Sequence, residues 1–181
     1  MARILIVGGA GSGKTSLGRR VAPMIGVPLI ELDQIGYEGG AGPKRPLDDK
    51  VTEIAEIAAR QQWVAEGIYL GWTDVLIERA TDIVWLDVPW RVARWRIIRR
   101  HWSAGRSGAN PHGGWRNLRA FLRSARRYYV GRTVPDRLPD DDDKVTRSET
   151  KRVLAAYRSK VIRCRNSRQI ERFLNTVPKV V

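Results

Sequence analysis

Near its start the chain reads Gly8-Gly9-Ala10-Gly11-Ser12-Gly13-Lys14-Thr15, which fits the pattern G-x-x-x-x-G-K-[ST] of a phosphate-binding loop, or P-loop. An apolar run, Ile4-Leu5-Ile6-Val7, precedes the loop and predicts a buried strand. Residues 14–25 after the loop predict a helix, because apolar side chains recur there at helical spacing: Leu17, Val21, Met24 and Ile25. Strand, loop and helix follow one another as the motif requires, so a glycine-rich turn without a ligand is the weaker interpretation.

The residue types of this loop suit the binding of a nucleoside triphosphate. Glycines let the backbone bend so that its N–H groups point at phosphate oxygens, and the helix N-terminus adds partial positive charge. We expect Lys14 to reach the β- and γ-phosphates and the Thr15 hydroxyl to bind Mg²⁺. The residues predicted to contact the nucleotide in this segment are Gly9, Ala10, Gly11, Ser12, Gly13, Lys14, Thr15 and Ser16.

Length and composition indicate one cytoplasmic domain. The chain has 181 residues, which suffices for a single domain with a substantial core, over 1–181. Its one cysteine, Cys164, excludes an internal disulfide and fits a reducing compartment. The sequence has no apolar run long enough to span a membrane, and Met1-Ala2-Arg3-Ile4 leads straight into a strand without a signal peptide.

The positive charge is concentrated in one segment. The net charge is +14, yet residues 88–135 hold twelve arginines and no lysine, aspartate or glutamate. The remainder of the chain is nearly neutral, with 21 basic and 19 acidic residues. An arginine-only segment suits bidentate recognition of phosphate groups, and binding to nucleic acid would also explain it.

The predicted elements alternate between strand and helix. Five strands separated by helices predict a parallel sheet with helices on both faces, an α/β fold. The predicted strands are 2–8, 28–33, 63–68, 82–88 and 160–165, and the predicted helices are 14–25, 47–62, 73–80, 90–102, 115–130, 148–158 and a last one capped by Ser167. We interpret the aspartate run 140–143 as a solvated loop.

Residues 90–130 predict two helices joined by a polar, glycine-rich break, and we name this segment the arginine hairpin. Helices joined by a flexible break are typical of a lid that closes over a substrate. Arg96 and Arg100 are four residues apart on one face, where like charges repel unless a polyanion binds. In the second helix, five residues are expected to pack inward, with arginines opposite: Trp115, Leu118, Leu122, Ala125 and Tyr129.

Three carboxylates lie at or near the ends of predicted strands and are candidates for the site. Asp33 is placed to bind an acceptor hydroxyl, accept its proton or hold Mg²⁺ through water, and the alternative is a helix or turn cap. Glu66 lies at the end of the third strand and is a candidate for the site on the same grounds as Asp33. Asp87 completes a Walker B pattern, but Pro89 nearby favours a structural turn. The two histidines lie in no pattern typical of a metal site, and an acceptor ring could stack on Trp72.

These segments resemble the small P-loop kinases of the nucleoside-monophosphate-kinase kind, and more closely the bacterial adenylate-kinase-like proteins known as DNA topology modulation proteins. The resemblance covers most of the chain. It is carried by the P-loop, Leu32-Asp33, Trp63-Val64-Ala65-Glu66-Gly67-Ile68-Tyr69 and Asp82-Ile83-Val84-Trp85-Leu86-Asp87-Val88-Pro89. It implies the P-loop NTPase fold, with three α/β/α layers, a sheet in the order 2-3-1-4-5 and the arginine hairpin as lid.

The resemblance also implies roles for individual residues. Lys14 would hold the phosphates of ATP, and Thr15 would hold Mg²⁺. Glu66 stands where relatives have an aspartate that orders Mg²⁺ through water. Arg96 and Arg100 stand where adenylate kinases place one arginine near the adenine and one on the phosphates. In adenylate kinases an arginine a few positions after the glycine that corresponds to Gly67 binds the acceptor phosphate. The residues after Gly67 here, Ile68-Tyr69-Leu70-Gly71, include no arginine.

Together these features predict an ATP- and Mg²⁺-dependent phosphotransferase, or kinase, that acts on a small molecule with a hydroxyl or phosphate acceptor. Lys14, Asp33 and Arg100 are the expected catalytic residues. The alternative is a nucleotide-regulated protein that binds nucleic acid through the arginine hairpin. A plain ATPase or GTPase switch is a weaker third interpretation, since the sequence has no N-K-x-D guanine motif. Acceptor identity and oligomeric state stay open.

Overall fold

The P-loop joins the central strand of a five-stranded parallel sheet to the first helix. The computed structural model describes residues 1–106 (the backbone alone at 104–106), 115–132, 140–141 and 144–178. The strands are β1 (Arg3–Val7), β2 (Leu29–Glu31), β3 (Trp63–Glu66), β4 (Asp82–Leu86) and β5 (Val161–Cys164). Their order is β2-β3-β1-β4-β5, so the predicted order and the P-loop NTPase fold are confirmed.

Helices cover both faces of the sheet. They are α1 (Lys14–Ile25), α2 (Leu32–Gly36), α3 (Leu47–Ala59), α4 (Asp74–Arg79), α5 (Trp90–Arg106), α6 (Trp115–Val130), α7 (Arg147–Leu154) and α8 (Ser167–Leu174). Short 3₁₀ turns occupy Glu38–Gly40 and Ala155–Lys160. Within the described ranges, none of the helices is both long and apolar enough to cross a bilayer.

The strand β1 contributes side chains to a hydrophobic core on each face of the sheet. Successive side chains of a strand point to opposite faces, and both faces of β1 are buried. Ile4 and Ile6 pack with α1 and α8, whereas Leu5 and Val7 pack with the core under α3 and α4. The sheet is therefore the middle of three layers, and the carboxyl ends of its strands meet at one edge.

The structure corrects the predicted second strand. Strand β2 ends at Glu31, and Asp33 lies in the first turn of α2 instead of at a strand end. Caps differ as well: Asn166, not Ser167, accepts a hydrogen bond from the Gln169 N–H and starts α8. Thr73 precedes α4, but its hydroxyl donates to the Tyr69 carbonyl and caps nothing.

A buried lysine was not predicted. Lys50 on α3 is fully buried, and its ammonium pairs with Asp140 and lies 5.2 Å from the Trp72 ring centre. Val51, which the helical pattern placed inside, is 45% exposed. Asp140 also accepts a hydrogen bond at its carbonyl from the Lys44 ammonium, 2.6 Å away. The first aspartate of the acidic run therefore binds two lysines instead of lying free in solvent.

The arginine hairpin is formed by α5 and α6, which pack against each other. Leu118 and Ala125 are buried as predicted, but Trp115 is 72% exposed, so its predicted inward position is wrong. Trp115 is the first residue of α6 and contacts Trp102 edge to face, with ring centres 6.4 Å apart. Tyr128 takes a buried position that the pattern did not assign. The predicted polar break was expected to begin at Ser103, but α5 continues to Arg106. The rest of the break, with Asn110 and His112, lies outside the described residues.

Candidate functional site

The P-loop has the backbone shape that its glycines allow. Gly11 and Gly13 have φ angles of +77° and +102°, in the left-handed region that side chains rarely adopt. The helix α1 starts at Lys14 directly after this turn, so the unpaired N–H groups of its first turn face the phosphate site. The local sequence therefore provides the backbone conformation of an anion-binding loop.

Two tyrosines of α6 support this loop from behind. The Tyr129 hydroxyl donates a hydrogen bond of 2.9 Å to the Ala10 carbonyl. Burial raises the pKa of Tyr129, so its hydroxyl stays protonated and remains a donor. The Tyr128 ring lies against Gly9, and its hydroxyl accepts a 3.3 Å hydrogen bond from the Trp85 indole N–H. Sequence reasoning missed the contacts with Gly9 and Ala10, because each joins residues more than a hundred positions apart.

Gly9→Ala is expected to distort the P-loop. A Cβ at this position would lie 2.9 Å from Cγ of Tyr128 and closer still to the ring edge, and this buried ring cannot retreat freely. We expect ATP affinity to fall at least about tenfold, equivalent to about 1.4 kcal/mol, measured by calorimetric titration. Val51→Ala on α3 is the control, since Val51 is 45% exposed and does not line the cleft. Equal ATP affinity in both variants would contradict this account.

One cleft of about 640 Å³ collects the predicted site residues. Its lining includes most of the P-loop together with Asp33, Glu66, Arg96 and Arg100. These side chains come from α1, α2, β3 and α5, whose ends meet at the carboxyl edge of the sheet. The cleft also contains residues that the sequence did not single out: Arg20, Trp95, Arg99, Phe121 and Ile170.

Glu66 contacts the two P-loop residues that are expected to bind phosphate and metal. Its carboxylate accepts a short hydrogen bond from the Thr15 hydroxyl and lies 3.7 Å from the Lys14 ammonium. Burial raises the pKa of Glu66, although the Lys14 charge and the Thr15 hydrogen bond oppose this shift. The three groups thus form a compact charged cluster at the floor of the cleft.

Asp33 is exposed in the cleft and accepts a 2.5 Å hydrogen bond from the Tyr69 hydroxyl. The Tyr69 ring packs on Trp72 at 4.7 Å and near Tyr37 at 6.3 Å. Trp72 is 2% exposed, so it supports Tyr69 and offers no face to an acceptor ring. The aromatic packing orients Tyr69, and Tyr69 orients the carboxylate.

The arginines of α5 lie along the opposite wall. Arg96 donates a 2.6 Å hydrogen bond from Nη1 to the Ser12 carbonyl, so it reaches the P-loop directly. Arg99 and Arg100 line the cleft, and the Arg99 guanidinium lies 5.2 Å from the Trp95 ring centre. These positions suit contacts with the phosphates of a bound nucleotide.

Asp87 is a structural anchor next to the site. It is 2% exposed and receives hydrogen bonds from Arg147 on α7 at 2.5 and 2.9 Å and from Arg163 on β5 at 2.5 and 2.8 Å. Asp87 does not line the cleft. The structural turn favoured by the sequence agrees with this position, but neither arginine partner was predicted.

The residues present fit a nucleotide with Mg²⁺. The hydroxyl of Ser12 is buried in the loop and lacks a hydrogen-bond partner in the described part of the chain, as expected where a ligand supplies one. Thr15 and Glu66 supply the hard oxygen atoms that Mg²⁺ prefers. Among the residues described, no group of three or more His, Cys, Asp or Glu could hold a metal alone, so phosphate oxygens would complete its shell.

Comparison with known proteins shows a likeness of fold. No family model matches the chain, and no curated protein matches it. Similar solved structures include a gluconokinase from Sinorhizobium meliloti 1021, with 23% identity, 70% of this chain and 73% of that chain covered, and a TM-score of 0.44. A sugar kinase from Janibacter sp. HTCC2649 has 18% identity, coverage of 97% and 93%, and a TM-score of 0.47. A shikimate kinase from Bacteroides thetaiotaomicron has 18% identity, coverage of 87% and 98%, and a TM-score of 0.43. Likenesses this distant assign neither an activity nor an acceptor, and the resemblance to DNA topology modulation proteins stays a prediction.

Proposed function

We propose that this protein transfers the γ-phosphoryl group of Mg-ATP to a small acceptor molecule. The observation that carries the proposal is the single cleft in which a P-loop, the Thr15–Glu66–Lys14 cluster, a carboxylate and several arginines face one another. Nucleotide binding alone would need no carboxylate besides Glu66 in the cleft. Asp33 stands there, held by Tyr69.

Each residue has a role that its position supports. Lys14 and the loop amides would neutralise the triphosphate. Thr15 and Glu66 would hold Mg²⁺, which would supply further positive charge at the phosphates. Arg96 and Arg100 contact phosphate oxygens from the α5 side. Catalysis in this scheme is mainly positioning and charge stabilisation, as expected for phosphoryl transfer.

Asp33 favours a hydroxyl over a phosphate as the acceptor group. A carboxylate repels an incoming phosphate, whereas it can accept a hydrogen bond from a hydroxyl. The acceptor oxygen would form the new bond to the γ-phosphorus as the bond to the β–γ bridging oxygen breaks and ADP leaves. The hydroxyl proton would pass to Asp33, which is exposed and can release it to solvent.

The test is a panel of nucleosides, nucleotides, sugars and small hydroxy acids, with Mg-ATP as donor and mass detection of the phosphorylated product. Transfer to one acceptor class is expected. Asp33→Asn should lower kcat by about 10²-fold or more with little change in the KM for ATP, since it removes the proton acceptor and leaves the P-loop intact.

Asp49→Asn, at an exposed position of α3, is the matched control and should leave kcat unchanged. Formation of ADP without a phosphorylated product in every member of the panel would contradict the proposal and indicate a plain ATPase.

Nucleotide-regulated nucleic-acid binding is the second candidate function. It is favoured by the many exposed arginines of the arginine hairpin, only a few of which line the cleft. A lid that serves one triphosphate should not bind nucleic acid tightly at physiological salt, whereas a nucleic-acid-binding protein should lose affinity log-linearly with salt.

A further inference from the structure

The arginine hairpin exposes large aromatic side chains to solvent. Trp95 and Trp102 on α5 are each 58% exposed, and Trp115 and Phe121 on α6 are 72% and 42% exposed. Tryptophan is usually well covered in a folded protein, and several such side chains on one helix pair are unusual for a free surface. Trp95 and Phe121 line the mouth of the P-loop cleft, whereas Trp102 and Trp115 contact each other beyond it.

The same two helices carry exposed arginines that have no acidic partner in the part of the chain that the structure describes. Four arginines of α5 and five of α6 are exposed, and neither helix contains an aspartate or glutamate. None of these nine arginines forms an ion pair with another described residue. The arginines of α6 are Arg116, Arg119, Arg123, Arg126 and Arg127. Positive charge at this density, without an acidic partner among the described residues, is self-repulsive unless an extended anion binds to it.

The spacing along α5 alternates ring, charge and ring. Trp95, Arg99 and Trp102 lie at positions i, i+4 and i+7 and share one face of the helix. Seven residues of helix rise about 10 Å. The two rings are therefore far enough apart to contact different bases. Arg99 already stacks on Trp95 at 5.2 Å, and the edge of Trp115 extends the aromatic surface at Trp102.

We propose that the arginine hairpin binds single-stranded nucleic acid, with bases stacked on Trp102 and Trp115 and phosphates held by the arginines of α6. A base can stack on an exposed tryptophan ring only when it is not stacked between its neighbours. Single strands offer such bases and a duplex does not. Trp95 and Arg99 belong both to this surface and to the P-loop cleft, so a bound strand would run up to the nucleotide. The proposal rests on the second candidate function, nucleic-acid binding, and not on phosphoryl transfer.

The experiment is fluorescence anisotropy with a labelled oligothymidylate of about twenty nucleotides, titrated with Lys14→Ala protein in the absence of ATP. Loss of transferase activity cannot then affect the result. We expect affinity to fall log-linearly with salt between about 50 and 200 mM. The Trp102→Ala/Trp115→Ala double variant should bind at least about tenfold more weakly with an unchanged salt slope, since stacking is not ionic.

A pair of charge-matched variants separates local contacts from net charge. Arg119→Ala/Arg123→Ala should weaken binding and reduce the salt slope by about two. Arg60→Ala/Arg79→Ala removes the same charge from exposed positions on α4 and the end of α3, and should change little. All four arginines are exposed, and thermal unfolding checks that each variant stays folded.

Three outcomes would overturn the proposal. Equal weakening by both arginine pairs would indicate a general charge effect. Stacking would be excluded if the tryptophan variant bound the labelled oligonucleotide as tightly as its parent, and if heparin or duplex DNA displaced that oligonucleotide as well as an unlabelled single strand does. Binding to anionic lipid vesicles without binding to the oligonucleotide would assign the surface to a membrane.

Discussion

Lys14→Ala is expected to lower kcat/KM for phosphoryl transfer by about 10²–10³-fold or more. Lys14 is the cation at the start of α1 and lines the cleft next to Thr15. Its ammonium would stabilise the charge that develops on the β- and γ-phosphate oxygens, and no other lysine lines the cleft within the described residues. Steady-state kinetics with the acceptor found in the panel would measure the loss.

The same variant should also change the pH dependence. The Lys14 charge lowers the pKa of Glu66 and opposes the effect of burial. Without Lys14 the pKa of Glu66 rises further above its usual value of 4.5. As the pH falls, the Glu66 carboxylate is therefore protonated at a higher pH than in the parent protein. We expect the acidic limb of the residual activity profile to move to higher pH.

Arg19→Ala is the control for the loss of a cation from α1, because Arg19 is 71% exposed and does not line the cleft. It should retain full activity. Undiminished turnover in Lys14→Ala would contradict the assignment of the P-loop as the catalytic phosphate site.

Asp87→Asn should cause the largest loss of stability among single polar substitutions near the site, about 3 kcal/mol. The substitution removes the charge that holds Arg147 and Arg163 and so releases α7 and β5 from the end of β4. Both arginines are partly exposed, with 43% and 33% of their side chains accessible, so water offsets part of the loss. Urea unfolding at neutral pH would measure the effect.

The sign of the pH dependence follows from the pKa of Asp87. Burial opposes ionisation, but the hydrogen bonds and charges of Arg147 and Arg163 outweigh it and hold this pKa below its usual value of 3.8. A lowered folded-state pKa contributes stability that is present above the unfolded-state value and is lost as pH falls through the folded-state value. The variant should therefore lose less stability on acidification below about pH 4 than the parent protein does.

Glu171→Gln offers a matched control, because Glu171 also binds an arginine, Arg20, through two hydrogen bonds at the surface. That pair is exposed, so its loss should hardly change the urea midpoint. Equal loss of stability in both variants would mean that burial of Asp87 contributes nothing.

The fold was predictable because its signals are local. The apolar run before Gly8, the P-loop and the helix 14–25 identify β1 and α1 without reference to any distant residue. Alternation of strand and helix then leaves few arrangements, and the observed sheet order is the expected one. The residues gathered in the cleft were also predictable in part, since strand ends and their following turns meet at one edge.

What the sequence did not reveal are contacts between distant residues. The support of Gly9 by Tyr128, the pairing of Lys50 with Asp140 and the arginines around Asp87 each join separate segments. Periodicity cannot show such pairs, because it reports which face of a helix is apolar and not which residue that face meets. Trp115 was misplaced for the same reason: it fits the apolar pattern of α6, but at the first residue of this helix it is 72% exposed.

The hydrogen bond from Tyr129 to Ala10 has a consequence for synthesis of the chain. The two residues are 119 positions apart, so the P-loop leaves the ribosome long before its support exists. The strand β1 also pairs with β3 and β4 on either side, and both are synthesised later than β1. A nascent chain that ends before residue 128 would therefore carry the complete P-loop sequence but would bind nucleotide weakly, and binding would strengthen once α6 has been made and docked.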